Sequence, residues 1–207
     1  MKIKPSKIVA VGLNYIDHAQ EMKMDLPKQP VIFLKPPSAI IYNKESIVYP
    51  PQTSELHYEA ELAVVIKDRI KNIAEEEALD HVLGFTCAND VTARDLQRMD
   101  VQWSRAKSFD SFCPVGPRIV SEIDPNNLAI KLYLNGELKQ SSNTANLIFK
   151  VNYLIAFISQ VMTLEPEDLI LTGTPAGIGP MQVGDVVEVE IEKIGKLVNR
   201  VIAQRGK

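Results

Sequence analysis

Short strand-like runs recur along this chain, and they constrain its fold more than any other feature of the sequence. The runs are rich in β-branched, aromatic and other apolar residues, which favour strands. The chain also carries 13 prolines, including the pairs Pro36-Pro37 and Pro50-Pro51, a content typical of a loop-rich β protein. The predicted strands are residues 7–11, 31–35, 59–66, 84–88, 115–120, 128–134, 169–172, 185–191 and 197–202.

Turn and helix signals complete the predicted architecture. Asn135-Gly136 between two strand-like runs predicts a tight hairpin. Helices are predicted over 74–82, over 91–99 with Asp90 as N-cap, and over 148–162, where apolar residues follow a helical stripe. Strands and helices do not alternate, which excludes a doubly wound parallel fold. The sequence therefore predicts one α+β domain, mainly β, over residues 1–207.

Composition bounds the partners of the protein. The 207 residues carry a formal net charge of -3 and no basic cluster, so nucleic acid is not an expected partner. No apolar stretch is long enough to span a bilayer, and no signal-peptide core follows Met1, so we expect no membrane association and a cytoplasmic protein. Cys87 and Cys113 lack ligand-like spacing and are interpreted as buried free thiols.

Two glutamates stand two residues apart in the strand-like run His57 to Ile66. Side chains at i and i+2 of a strand share a face, so Glu59 and Glu61 should project together. Asp90, at the end of another run, would add a third carboxylate. Carboxylates in contact repel one another, and a hard cation such as Mg²⁺ or Mn²⁺ relieves the repulsion. The alternatives are a solvated edge strand for the glutamates and a helix cap for Asp90.

The segment 14–30 contains a candidate acid–base pair. His18 and Glu21 stand three residues apart, so they would share one face of a short helix. A polar helix with methionines, followed by a proline-bounded loop, is typical of a mobile lid. A poorly packed surface helix has the same appearance.

Lys107 and a glycine-rich turn supply further candidates. Lys107 could stabilise an enolate or orient a carboxylate, or it could be an ordinary snorkelling lysine. The turn over 172–180 lacks the lysine and helix of a P-loop, but backbone N–H groups at Gly173 and the Thr174 hydroxyl could bind a carboxylate. The neighbours Arg94 and Asp95 are interpreted as a structural ion pair.

Together these segments resemble the fumarylacetoacetate hydrolase family. The motifs follow the order of the family from about residue 8 to the C-terminus and are specific only in combination. They are Gly12 to Glu21, Phe33 to Pro36, Tyr58 to Leu62, Ala88 to Asp95, Ala106 to Phe109, and Leu171 to Gly177.

The resemblance implies a mixed β-roll fold with few helices, usually a homodimer, in the compact form that lacks an extra N-terminal domain. It implies that Glu59, Glu61 and Asp90 hold Mg²⁺ or Mn²⁺. It further implies that His18 and Glu21 form an acid–base dyad on a lid. Lys107 would be the active-site lysine, and Gln97 and Thr174 would contact the substrate.

The chemistry implied is that of small 2-oxo acids or their enols. A metal-stabilised enolate would serve C–C hydrolysis of acylpyruvates, or decarboxylation and tautomerisation of oxaloacetate. Isomerisation or decarboxylation of hydroxymuconate-like diene acids is an alternative. A non-catalytic metal- or carboxylate-binding module is the opposing class, but it would have no use for His18, Glu21 and Lys107 together.

Overall fold

The computed structural model describes residues 2–21 and 25–204 of the chain. Within these residues the chain forms fifteen strands, which we number in chain order. They are β1 (Ile8–Gly12), β2 (Val31–Lys35), β3 (Ile40–Tyr42), β4 (Ser46–Tyr49), β5 (Leu56–Tyr58), β6 (Ala60–Ile66), β7 (Val82–Asn89), β8 (Thr92–Ala93), β9 (Cys113–Val120), β10 (Ala129–Leu134), β11 (Glu137–Asn143), β12 (Leu169–Leu171), β13 (Gly179–Met181), β14 (Val186–Ile191) and β15 (Gly195–Ala203).

Helices are few and short. The α-helices are α1 (Ile16–Glu21), α2 (Arg94–Met99), α3 (Ser104–Lys107) and α4 (Val151–Val161), and three 3₁₀ helices cover Pro37–Ala39, Glu75–His81 and Thr144–Asn146. No helix in the described ranges is long and apolar enough to cross a membrane. The prediction of an α+β fold dominated by strands is confirmed.

Two mixed sheets and one antiparallel sheet organise the strands. The largest has seven strands in the order β2-β1-β12-β6-β7-β9-β3, the second has five in the order β11-β10-β14-β15-β4, and a third has three in the order β13-β5-β8. Strand β6 lies at the centre of the seven-stranded sheet, between β12 and β7, and every one of its residues is buried.

The alternation of side chains along β6 divides the core. Leu62 and Val64 share one apolar cluster with residues of β10 and β14 in the five-stranded sheet. Ala63 and Val65 belong to a second cluster on the opposite face of the strand. Burial of each large aliphatic side chain contributes about 1.5–3 kcal/mol, so the sheet is firmly held on both faces. Glu61 lies in this buried strand, and Glu59 immediately precedes it.

The predicted hairpin and the predicted long helix are both present, but the helix begins later than predicted. Asn135 and Gly136 both have positive φ, as a two-residue hairpin turn between β10 and β11 requires. The helix predicted over 148–162 begins only at Val151, because the N–H groups of Ile148 and Phe149 donate to the backbone and side-chain oxygens of Asn14.

Two other helix predictions need correction. The segment predicted as a helix over 74–82 is a 3₁₀ helix, Glu75–His81. The segment over 91–99 begins with strand β8, which pairs with β5, so the helix starts at Arg94 with Ala93 as its N-cap residue. Asp90 is not the N-cap, because lysine side chains engage both of its carboxylate oxygens.

Candidate active site

Three carboxylates converge where β6 begins and β7 ends. The antiparallel register pairs Ala60 with Asn89, and the N–H of Asp90 donates to the backbone oxygen of Glu59 at 2.9 Å. Ligand oxygens of Glu59, Glu61 and Asp90 lie within 4.8 Å of one another. The strand pairing therefore places the third acid beside the other two although it lies about thirty residues further along the chain.

All three acids are buried. Glu59 is 6% exposed, and Glu61 and Asp90 are each 1% exposed. The glutamates lie at the start of a central strand, so the alternative of a solvated edge strand is wrong. Buried carboxylates need compensating charge or hydrogen bonds, because removing an unpaired carboxylate from water costs roughly several kcal/mol.

Three cations lie against two of the three acids. Lys107 donates to Glu59 Oε2 at 2.8 Å and to Asp90 Oδ2 at 2.6 Å. Lys35 pairs with the other oxygen of Asp90, and Arg94 pairs with Glu59. Lys107 is only 2% exposed, so the snorkelling interpretation is wrong. The lysine is part of the buried charge cluster.

These contacts act on ionisation in opposite ways at the two glutamates. Burial opposes ionisation of Glu59, but the charges of Lys107 and Arg94 outweigh it and lower the pKa to about 2. Burial also disfavours the charged form of Lys107, but Asp90 and Glu59 raise its pKa above the ordinary value, which keeps it an ammonium. At Glu61 burial and the neighbouring charges of Asp90 and Glu59 all raise the pKa, to well above its usual range.

The donor set fits a hard divalent cation. Three buried carboxylates offer oxygen ligands within reach of one ion, as Mg²⁺ and Mn²⁺ prefer. Lysine and arginine contacts reach Glu59 and Asp90, whereas the hydrogen bond described for Glu61 comes from a backbone N–H. Additional positive charge beside Glu61 would relieve the repulsion that raises its pKa. The site therefore has the composition expected of a metal centre.

The glycine-rich turn supports this centre through its backbone. Gly173 N–H donates to Glu61 Oε2 at 2.6 Å. Gly173 has a φ of +100°, and a Cβ there would lie 2.7 Å from Cβ of Asn14, so only glycine fits. This N–H orients a carboxylate of the protein, and the predicted contact of Gly173 with substrate stays a prediction.

The predicted acid–base pair lies on α1. His18 is 9% exposed, and its Nδ1 lies 3.1 Å from Glu21 Oε2. Gly177 N–H, from the glycine-rich turn, donates to the Glu21 carboxylate at 3.2 Å, and Ser142 donates to Asp17 on the same helix at 2.7 Å. Helix α1 is thus anchored to two distant segments. Residues 22–24 of the predicted lid lie outside the described residues, and its mobility stays a prediction.

One cavity of about 260 Å³ joins these groups. The three carboxylates, His18 and Lys107 all line it. Gln97 and Thr174, the predicted substrate contacts, line it as well. The structure therefore brings these candidate groups together around one cavity. Glu21 and Gly173 do not line it, but Glu21 contacts His18 and Gly173 contacts Glu61, which do.

Helix α2 does not carry the ion pair expected between Arg94 and Asp95. Arg94 turns inward to Glu59 and Gln97. Asp95 instead accepts hydrogen bonds from Thr53 and Ser54. Adjacent residues on a helix point in different directions, so the two charges serve different neighbours.

Gln140, a buried residue of β11 that was not predicted, connects the parts of the site. Its Oε1 accepts the N–H of Ala60, the residue between the two glutamates, at 3.0 Å. Its Nε2 donates to Thr174 Oγ1 at 2.9 Å and to the Pro175 oxygen at 2.8 Å. No local pattern marks this residue, because its partners are 34 to 80 residues away.

Replacing Gln140 by leucine is expected to destabilise the fold by about 1–3 kcal/mol, because Ala60 N–H loses its partner in a buried position. Urea unfolding monitored by circular dichroism would measure the loss. Gln160→Leu, at an exposed position of α4, is the control and should change the free energy of unfolding by less than about 0.5 kcal/mol. Equal effects of the two substitutions would contradict the role of Gln140.

Known proteins resemble this chain over nearly its whole length. Residues 7–202 match the family model described as fumarylacetoacetate (FAA) hydrolase, C-terminal. A protein of Methanocaldococcus jannaschii is 58% identical over 200 residues, covering 97% of this chain and 84% of its own. A mitochondrial oxaloacetate tautomerase of Homo sapiens is 46% identical over 211 residues, covering 96% of this chain and 67% of its own.

Solved structures show the same fold. The 2-hydroxyhepta-2,4-diene-1,7-dioate isomerase of Mycobacterium marinum superposes with a TM-score of 0.92 at 46% identity, covering 99% of this chain and 77% of the other. The fumarylpyruvate hydrolase of Pseudomonas aeruginosa, in complex with Mn²⁺ and pyruvate, superposes with a TM-score of 0.92 at 33% identity, covering 99% and 92%. The predicted mixed β-roll is confirmed.

Proposed function

Because the chain belongs to the fumarylacetoacetate hydrolase family, we propose that it is a divalent-metal-dependent enzyme that interconverts the keto and enol forms of oxaloacetate. The observation that carries the proposal is the buried group of three carboxylates and Lys107 on the wall of one cavity that His18 also lines. Relatives at 46–47% identity that are oxaloacetate tautomerases support this choice of substrate.

Glu59, Glu61 and Asp90 would hold the metal, Mg²⁺ or Mn²⁺. The chemistry that such an ion supplies when bound is Lewis-acid stabilisation of the negative charge of an enolate. Lys107 adds to this stabilisation from the protein side. An ammonium has three donors; Glu59 and Asp90 engage two of them, and the third would bind a substrate oxygen.

His18 is the group that moves the proton. Its Nδ1 is engaged by Glu21, which leaves Nε2 to take a proton from C3 of oxaloacetate. The electron pair of that C–H bond then forms the C2–C3 double bond, and the protonated His18 gives its proton to the former carbonyl oxygen to complete the enol. Glu21, itself held by Gly177 N–H, orients the ring, and the reverse sequence restores the ketone.

Hydrolysis of the C–C bond in acylpyruvates is the second candidate. The dyad of His18 and Glu21 that would move a proton could also activate water. The structural match to a fumarylpyruvate hydrolase bound to Mn²⁺ and pyruvate favours this reaction, although at lower identity than the tautomerases. Both reactions pass through an enolate of a 2-oxo acid.

An ultraviolet assay of the purified protein separates these reactions. With Mg²⁺ or Mn²⁺ added, we expect the absorbance of enol oxaloacetate to relax faster than in buffer, without release of pyruvate. Pyruvate from oxaloacetate would instead indicate decarboxylation, and pyruvate from acetylpyruvate or fumarylpyruvate would indicate hydrolysis. Accelerated absorbance changes of hydroxymuconate-like diene acids would indicate isomerisation.

The same assay contains its own control for the metal. Excess EDTA should suppress the accelerated relaxation, and renewed Mn²⁺ should restore it. Acceleration that persists in EDTA would contradict the metal-dependent mechanism. Failure to accelerate any of these substrates would contradict the enzyme proposal itself.

A further inference from the structure

We propose that Arg98 binds the distal carboxylate of the substrate, so that this site selects dicarboxylic over monocarboxylic 2-oxo acids. The inference rests on the function proposed above, because it concerns the same cavity. It adds a residue to which neither the sequence analysis nor the comparisons gave a role.

Helix α2 presents one polar face to the cavity. Arg94, Gln97 and Arg98 stand at positions i, i+3 and i+4, which share a face of a helix. All three line the cavity that holds the carboxylate cluster. The wall formed by α2 therefore offers two guanidinium groups and an amide to a bound molecule.

Arg98 differs from the other cations of this wall in its partners. Lys107 and Arg94 are each held by a buried carboxylate, and releasing either would leave an uncompensated charge. Arg98 pairs at 2.6 Å with Glu55, and both side chains are largely open to solvent, at 59% and 41% exposure. An exposed pair of this kind contributes little, so Arg98 can exchange Glu55 for a carboxylate of a ligand.

The residues that line the cavity differ in burial from its inner end to its solvent side. The metal-ligand candidates are 1–6% exposed and form its inner end, whereas Arg98 lies at its solvent side. A 2-oxo acid whose carboxylate and oxo oxygen face the inner end would extend its remaining carbons toward α2. A second carboxylate at that end would meet a planar guanidinium, which binds carboxylates through two parallel hydrogen bonds.

The test compares two unreactive acids that differ by the distal carboxylate, malate and lactate. Their affinities for the wild-type protein are measured by titration calorimetry with Mn²⁺ present. Arg98→Gln is expected to weaken malate binding about 10- to 100-fold and to leave lactate binding unchanged, since a charge-assisted hydrogen bond is lost. Arg98→Lys should restore part of the loss. Arg105→Gln, which removes the ion pair of another exposed arginine with Asp100, should change neither affinity.

Turnover supplies a second readout that separates this inference from the proposed reaction. If oxaloacetate is a substrate, Arg98→Gln should raise its KM without a comparable rise for 4-ethyl oxaloacetate, in which the distal carboxylate is esterified. A wild-type protein that is inactive but prefers malate through Arg98 would refute the reaction and support the inference. Equal malate and lactate affinities in the wild type, or unchanged malate affinity in Arg98→Gln, would overturn the inference.

Discussion

Replacing Glu61 by glutamine is expected to lower metal-dependent turnover by about 10³-fold or more, because loss of Lewis-acid stabilisation raises the barrier by several kcal/mol. The same substitution should leave the metal-free protein at least as stable as the wild type. Glutamine removes a buried carboxyl group whose charged form is disfavoured by burial and by Asp90 and Glu59, and its side-chain oxygen can still accept the N–H of Gly173.

Thermal unfolding with and without Mn²⁺ measures the binding half of this prediction. For the wild type, an ion at a hundred times its dissociation constant stabilises the fold by about 2.7 kcal/mol. For a chain of this length that raises Tm by about 5–11 °C. Glu61→Gln should lose this increase, whereas Glu137→Gln, at an exposed position of β11, should retain it. A full Mn²⁺ response in Glu61→Gln would show that the metal lies elsewhere.

Replacing His18 by glutamine is expected to lower kcat by about 10²- to 10⁴-fold, the range of a lost general acid–base group. The increase of Tm with Mn²⁺ should stay as in the wild type, because His18 is not among the three carboxylates that would hold the ion. Glu21→Gln should have a smaller effect on kcat, since the imidazole remains and only its orientation is weakened.

His81 provides the matched control for the histidine. It ends the 3₁₀ helix Glu75–His81 and pairs with Asp68 at 2.7 Å, in a histidine–carboxylate contact like that of His18 and Glu21. His81→Gln should leave kcat unchanged. If His18→Gln kept wild-type kcat, the proton transfer assigned to this residue would be wrong, whichever substrate the enzyme uses.

Elements with strong local signals were predicted well. The run at β2 has the predicted bounds, and the hairpin at Asn135-Gly136 has the expected backbone, because both follow from residues adjacent in sequence. The short strands β3 and β4 were missed. They pair in parallel with β9 and β15, and three or four residues carry too little periodicity to reveal such distant partners.

By itself the sequence determined the mainly β fold class and the joint projection of Glu59 and Glu61, because alternation along a strand is a local property. Only the tertiary structure decided that these acids are buried with Asp90 and three cations, since the pairing of β6 with β7 creates that contact. It also decided that Gln140 supports the site and that Arg98 faces the cavity. Charges and amides acquire such roles from partners distant in sequence, which a local pattern does not encode.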